Sequence, residues 1–145
     1  MRGLFGEHMS ETQCVLFVAE KLFNKFLPRL SSHFQKENVH ITMFATQWLL
    51  TLYSSSFPFE LVTRVWDIFL LEGWKIVYRV MIALLDTAST KLLKLHFEDI
   101  LNHIKEIPKG IDADVIIRRA LNIPMKRIQL QEYTEEWQSI DKAKN

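Results

Sequence analysis

The side chains able to act as acids, bases, nucleophiles or metal ligands are few in this sequence and loosely spaced. His96, Asp99 and His103 fall within two turns of one segment and would put three donors on adjoining turns of a helix. Two histidines on a solvated helix face are the commoner arrangement, and no His-Glu-x-x-His pattern reinforces a metal reading, so no metal is expected. The single cysteine, Cys14, has no histidine within a helical turn of it and falls on an apolar helical stripe. No Gly-x-Ser-x-Gly elbow occurs, so nucleophilic catalysis has no visible apparatus. With only four glycines, neither the phosphate-cradling loop nor the dinucleotide fingerprint is present. The most specific pattern is Glu60, Arg64, Asp67 and Leu71, at i, i+4, i+7 and i+11. It places two acids on either side of one arginine and predicts an ion-pair ladder. Read plainly, such a ladder contributes a few tenths of a kcal/mol per exposed pair. Read functionally, it lines one side of a groove for a partner.

These residues need helices to position them. Ser10, with Gln13 three places on, predicts a capped helix over 10–27 whose stripe is Val15, Val18, Ala19, Leu22 and Phe26. Pro28 suits the first position of a second helix, through 36. Thr42 predicts the cap of a third, with Phe44, Ala45, Trp48, Leu49 and Leu52 together, before a Ser54-Ser55-Ser56 turn. Pro58 opens a fourth, with Val62, Val65, Trp66, Phe69 and Leu70 as a wide apolar face and Gly73 as its left-handed stop. The fifth, 75–88, is apolar on nearly every side and is expected to be the central, buried helix. A further helix is expected over 90–107, kinked near His96 and ended by Pro108-Lys109-Gly110. Another begins near Asp112, and a polar final helix follows Pro124. The expected fold is therefore all-α, a single multi-helix domain of about seven to eight helices, with a core over 1–122 and a terminal polar helix over 123–145.

Composition agrees. The chain has 145 residues, 48% of them hydrophobic and 24% charged, enough to bury roughly two thirds of the unfolded surface. Eighteen basic against seventeen acidic residues leave a net charge of +1, so no global field attracts a nucleic acid or an anionic bilayer. The longest uninterrupted apolar run, 80–85, is far short of a membrane span. One cysteine and the absence of a signal-peptide pattern predict a cytoplasmic chain.

The pattern Met43-Phe44-Ala45-x-x-Trp48-Leu49-Leu50-Thr51-Leu52, followed by Phe57-Pro58 and by Arg64-Val65-Trp66-Asp67-Ile68-Phe69-Leu70-x-Glu72-Gly73, resembles the TBC domain of Rab GTPase-activating proteins. The resemblance extends back through Leu27-Pro28-x-Leu30-x-x-His33-Phe34 and forward through Ala83-Leu84-Leu85. The stretch 120–137 is similar to the sequence that closes such domains in the subgroup with appended coiled coils. Trp48, Pro58, Arg64, Trp66, Asp67, Glu72 and Gly73 are the family-motif positions, with structural or partner-groove roles.

The resemblance implies an all-helical domain that docks on a GTP-loaded Rab, with GTP and magnesium belonging to that partner. It also implies recruitment to endomembranes through the Rab, in vesicle trafficking. The family inserts two fingers, an arginine from Ile-x-x-Asp-x-x-Arg and a glutamine from Tyr-x-Gln, both in its N-terminal half. This chain resembles the C-terminal half only. Tyr53, Tyr78 and Tyr133 are followed two places on by Ser55, Val80 and Glu135, and Ile111-x-x-Asp114 leads to Ile117 where an arginine is required. No catalytic residue is therefore assigned, and the chain alone is expected to be inactive, working when joined to the half that carries the fingers. The alternative is a non-catalytic helical module that binds a Rab or another protein. Arg64 and Trp66 are expected to hold the fold together, with Trp66 in the core. The absent half is also expected to leave apolar faces of the first or third helix uncovered, which favours self-association.

Overall fold

The computed structural model describes residues 2–144, with side chains described over 11–143. Among the described residues there are eight α-helices, two short 3-10 segments and no strand. The helices are α1 (Arg2–Phe26), α2 (Pro28–Lys36), α3 (Ala45–Leu50), α4 (Phe59–Glu72), α5 (Trp74–Leu92), α6 (Phe97–Glu106), α7 (Ala113–Asn122) and α8 (Arg127–Lys144).

The sequence of α5 explains the architecture. It is apolar around most of its circumference, and Ile76, Val77, Val80, Met81, Ala83, Leu84 and Leu85 are all buried. Such a helix must be surrounded, and α1, α3, α4 and α7 pack around it. The polar α8 lies along α1, with Trp137 buried against Phe17, ring centroids 5.6 Å apart. A second packing centre is aromatic: Phe44, Trp48, Tyr53 and Phe57 meet edge to face or tilted at 5.2–6.4 Å.

Several boundaries differ from the sequence-based expectation. Ser10 does not start α1; the helix begins at Arg2, because no proline interrupts 2–9 and a cap-type residue starts a helix only where the preceding backbone leaves the helical region. The Ser10 side chain lies outside the described ones. Thr42 does not cap α3 either, since a 3-10 turn at Ile41–Met43 intervenes and Phe44 occupies the cap position. Leu52 is buried as expected but sits beyond the helix, where Leu52 and Tyr53 both take left-handed φ values of 48° and 69°. This turn is held by the Tyr53 hydroxyl, which donates to the carbonyl of Val77 on α5 at 2.6 Å. The expected kink near His96 is a full break: α5 ends at Leu92, and α6 starts afresh after extended backbone at His96. Pro28 at the start of α2 and Asp112 at the cap of α7 are where the sequence placed them, and the Asp112 carboxylate accepts from the backbone N–H groups of Asp114 and Val115.

Candidate functional site

Helix α4 carries the motif residues Arg64, Trp66, Asp67 and Glu72, and its faces are set by about 100° of rotation per residue. Leu61 and Val65 point inward and are fully buried, with Ile68 behind them. The opposite side carries Phe59, Trp66 and Leu70, exposed to 80%, 42% and 78% respectively. The wide apolar face expected from Val62 to Leu70 is thus split. Its inner part packs on α5 and α7, while its outer part faces solvent. Trp66 is correspondingly not core. An apolar stripe wider than the helix's buried arc cannot be covered by one neighbour, and the pattern alone does not say which edge is left out.

The expected ion-pair ladder does not form. Arg64 reaches across to Asp114 on α7 and pairs with its carboxylate, and among the described residues neither Glu60 nor Asp67 comes within pairing distance of it. A tertiary partner on a neighbouring helix outcompetes two solvated acids on its own. Arg64 is half-exposed and Asp114 more so. Asp67 and Pro58 are exposed, Pro58 forming the cap residue of α4 with extended backbone. Trp48 lies in the aromatic centre beneath, 4% exposed. Glu72 turns inward toward Arg79 on α5, 3.8 Å away, and one of its oxygens and the Arg79 Nε are buried without a hydrogen bond. Arg79 also donates to the carbonyl of Met125, which ties the segment before α8 to the α4–α5 corner.

Gly73 alone joins α4 to α5. Its φ is positive as expected, at 72°, but its ψ of −146° makes it a mirror-extended joint, a conformation essentially restricted to glycine, and not a left-handed helical stop. The sharp joint brings Trp74 back beside α4. A continuous run of rings results: Trp66 to Phe69, Phe69 to Trp74 and Trp74 to Tyr78, at 5.9, 5.8 and 6.0 Å. Sequence reasoning missed this run because it bridges two helices through a joint whose angle the pattern did not give.

The bulky apolar side chains left most exposed are therefore on α4, Leu71 among them, and not on α1 or α3. The stripes of those two helices are covered within the chain, by α2, α5 and α8 for α1 and by α1 and α5 for α3. The histidines do not converge: His96 pairs with Glu37, the residue after α2, and no group of three His, Cys, Asp or Glu among the described residues could hold a metal. Burial, reinforced by the charge of Lys91, lowers the His103 pKa, with Glu106 opposing.

A sequence profile of the Rab-GTPase-TBC domain matches residues 1–93. The chain belongs to the Rab-GTPase-TBC family. The matched span holds α1 to α5 and every motif position from Trp48 to Gly73. Individual TBC relatives extend the likeness further. The chain is 34% identical over 143 residues to the human ecotropic viral integration site 5 protein homolog, 97% of this chain and 18% of the relative. The Drosophila melanogaster ecotropic viral integration site 5 ortholog is 37% identical over 116 residues, 79% and 14% of the respective chains. The Caenorhabditis elegans Rab GTPase-activating protein tbc-11 is 29% identical over 145 residues, 97% and 16%. The chain thus spans less than a fifth of the length of these relatives.

Proposed function

We propose that this chain is the C-terminal part of a Rab-GTPase-activating TBC domain and works on a GTP-loaded Rab jointly with an N-terminal half that supplies the arginine and glutamine fingers. The observation that carries the reading is the outward face of α4, where Phe59, Trp66 and Leu70 stand exposed beside the Arg64-x-Trp66-Asp67 motif. A surface of bulky apolar side chains rimmed by charge is what a partner protein covers. Arg64 is occupied by Asp114, which suits an arginine that braces two helices and not one that reaches into a neighbouring active site. GTP and magnesium enter with the Rab. The working location is the cytoplasm, at endomembranes to which the Rab recruits the domain; no described helix is long and apolar enough to cross a membrane.

Magnitudes separate the two halves of the reading. An arginine finger is worth on the order of 10³ to 10⁵ in GTP hydrolysis, and neither finger motif occurs in this sequence. The test is single-turnover phosphate release from a panel of GTP-loaded Rabs with and without a large excess of the chain, together with a binding measurement on the same panel. Binding without acceleration is the expected result, and Leu70→Glu is expected to weaken it. Acceleration of a hundredfold or more would overturn the division of labour, and Arg64, Arg118 and Arg119 would be replaced first. The second reading, a non-catalytic binding module, rests on the same missing motifs; it predicts that joining a finger-bearing N-terminal half restores no hydrolysis.

A further inference from the structure

A cavity of about 500 Å³ opens between α1, α5 and α8, away from the Arg64–Asp114 pair and lined by residues to which the family motif gives no role. Its walls are Val15 of α1, Trp74 and Tyr78 of α5, and Leu130 and Trp137 of α8, with the Cys14 thiol among them. That volume lies within the range of small-molecule sites, and the lining sets aromatic and aliphatic walls beside the polar side chains of Glu11, Thr134 and Gln138. The polar groups are specific. Tyr78 is 4% exposed, yet its hydroxyl has no hydrogen-bond partner among the described residues, although it borders the cavity. The other buried tyrosine, Tyr53, donates its hydroxyl to a backbone carbonyl; the buried side-chain atoms left without a partner among the described residues are on Glu72 and Arg79, so the Tyr78 hydroxyl reaches the open space of the cavity and can donate there. The Thr134 hydroxyl is already committed to the carbonyl of Leu130.

Charge sets the class of ligand. Among the described lining residues there is no Lys or Arg, and the one ionisable carboxylate is that of Glu11, which is exposed. Anions are therefore disfavoured. Burial raises the pKa of both Tyr78 and Cys14, so both present neutral donors at neutral pH. From these observations we infer that the cavity between α1, α5 and α8 is a binding site for a small, uncharged, flat heteroaromatic molecule that lies against Trp74 and Trp137 and accepts a hydrogen bond from the Tyr78 hydroxyl.

Cys14 is half-buried in the same wall and is the chain's single cysteine, so it reports on occupancy. The experiment follows carbamidomethylation of Cys14 by iodoacetamide, read by intact mass, in the full chain. Quinoline is the probe, since it is bicyclic, neutral at pH 7.5 and carries one acceptor nitrogen. Saturating quinoline is expected to slow the alkylation at least fivefold, and 2-naphthoate, of the same shape with a negative charge, is expected not to. Tyr78→Phe keeps the ring packing and removes the donor; it should weaken quinoline binding about three- to tenfold with no loss of melting temperature. Alkylation unchanged at saturating quinoline would overturn the site. Equal protection by 2-naphthoate, or undiminished quinoline binding by Tyr78→Phe, would overturn the ligand class.

Discussion

At the scale of single residues, the exposure of the motif side chains decides what their removal costs. Trp66 touches Phe69 by its edge and is otherwise open on one side, so Trp66→Ala is expected to cost about 1 kcal/mol, against the ~3–5 kcal/mol of a fully packed tryptophan. Arg64→Ala removes one solvent-screened pair and should lower stability by less than about 1 kcal/mol. Thermal melts of both variants check these values, and a loss above 3 kcal/mol in either would contradict the outward placement. Under the proposed function, Trp66→Ala should weaken Rab binding by more than its melt implies. Tyr53 is the contrasting case. It is wholly buried in a turn with left-handed backbone, and among the described residues its hydroxyl makes the one side-chain hydrogen bond tying that turn to α5. Tyr53→Phe is expected to cost about 0.5–1.5 kcal/mol, measurable by denaturant unfolding, with the aromatic packing preserved. A cost near zero would mean that the packing of Trp48 and Phe57 alone holds the turn.

At the scale of elements, Gly73 is where conformation and not contact is at stake. A Cβ added there would meet nothing within 4 Å, so Gly73→Ala isolates the cost of a backbone state that side-chain-bearing residues avoid. The expected loss is about 1–3 kcal/mol by chemical denaturation, from strain alone. An unchanged midpoint would show that the joint relaxes to an ordinary turn. How much could be read in advance follows the same division between local and non-local causes. The start of α2 at Pro28, the Asp112 cap and the buried α5 were legible, because proline geometry, a capping carboxylate and an all-round apolar helix act within a few residues. The inward stripe of α4 and the partner of Arg64 were not. Both depend on where α7 lies, and nothing in the sequence of α4 encodes the position of a helix about fifty residues further on. Of the candidate site, the motif positions were visible by resemblance. The outward turn of Trp66 and the ring run into Tyr78 required the three-dimensional joint.

At the scale of the whole molecule, the core is complete while one face is not. The stretch Val80–Leu85 of α5 is buried under the chain's own helices, so a cooperative thermal transition is expected of the chain by itself. The uncovered surface of Phe59, Trp66, Leu70 and Leu71 predicts concentration-dependent self-association in the absence of a partner. Sedimentation velocity over a hundredfold range of concentration checks this, with Leu70→Glu expected to restore the monomer; a monomer throughout would contradict it. The one-residue joint at Gly73 also constrains how this chain can change in length. Adding a residue there would replace the single φ/ψ pair that sets the angle between α4 and α5, and would move Trp74 off Phe69 and Arg79 off Glu72. The joint holds no second residue that could take up the change. Insertions should therefore be tolerated in the exposed serine turn at 54–56 and in the break at 93–96, and rejected across 72–75. In a library of single-codon insertions, α4 and α5 would behave as one gene segment of fixed length.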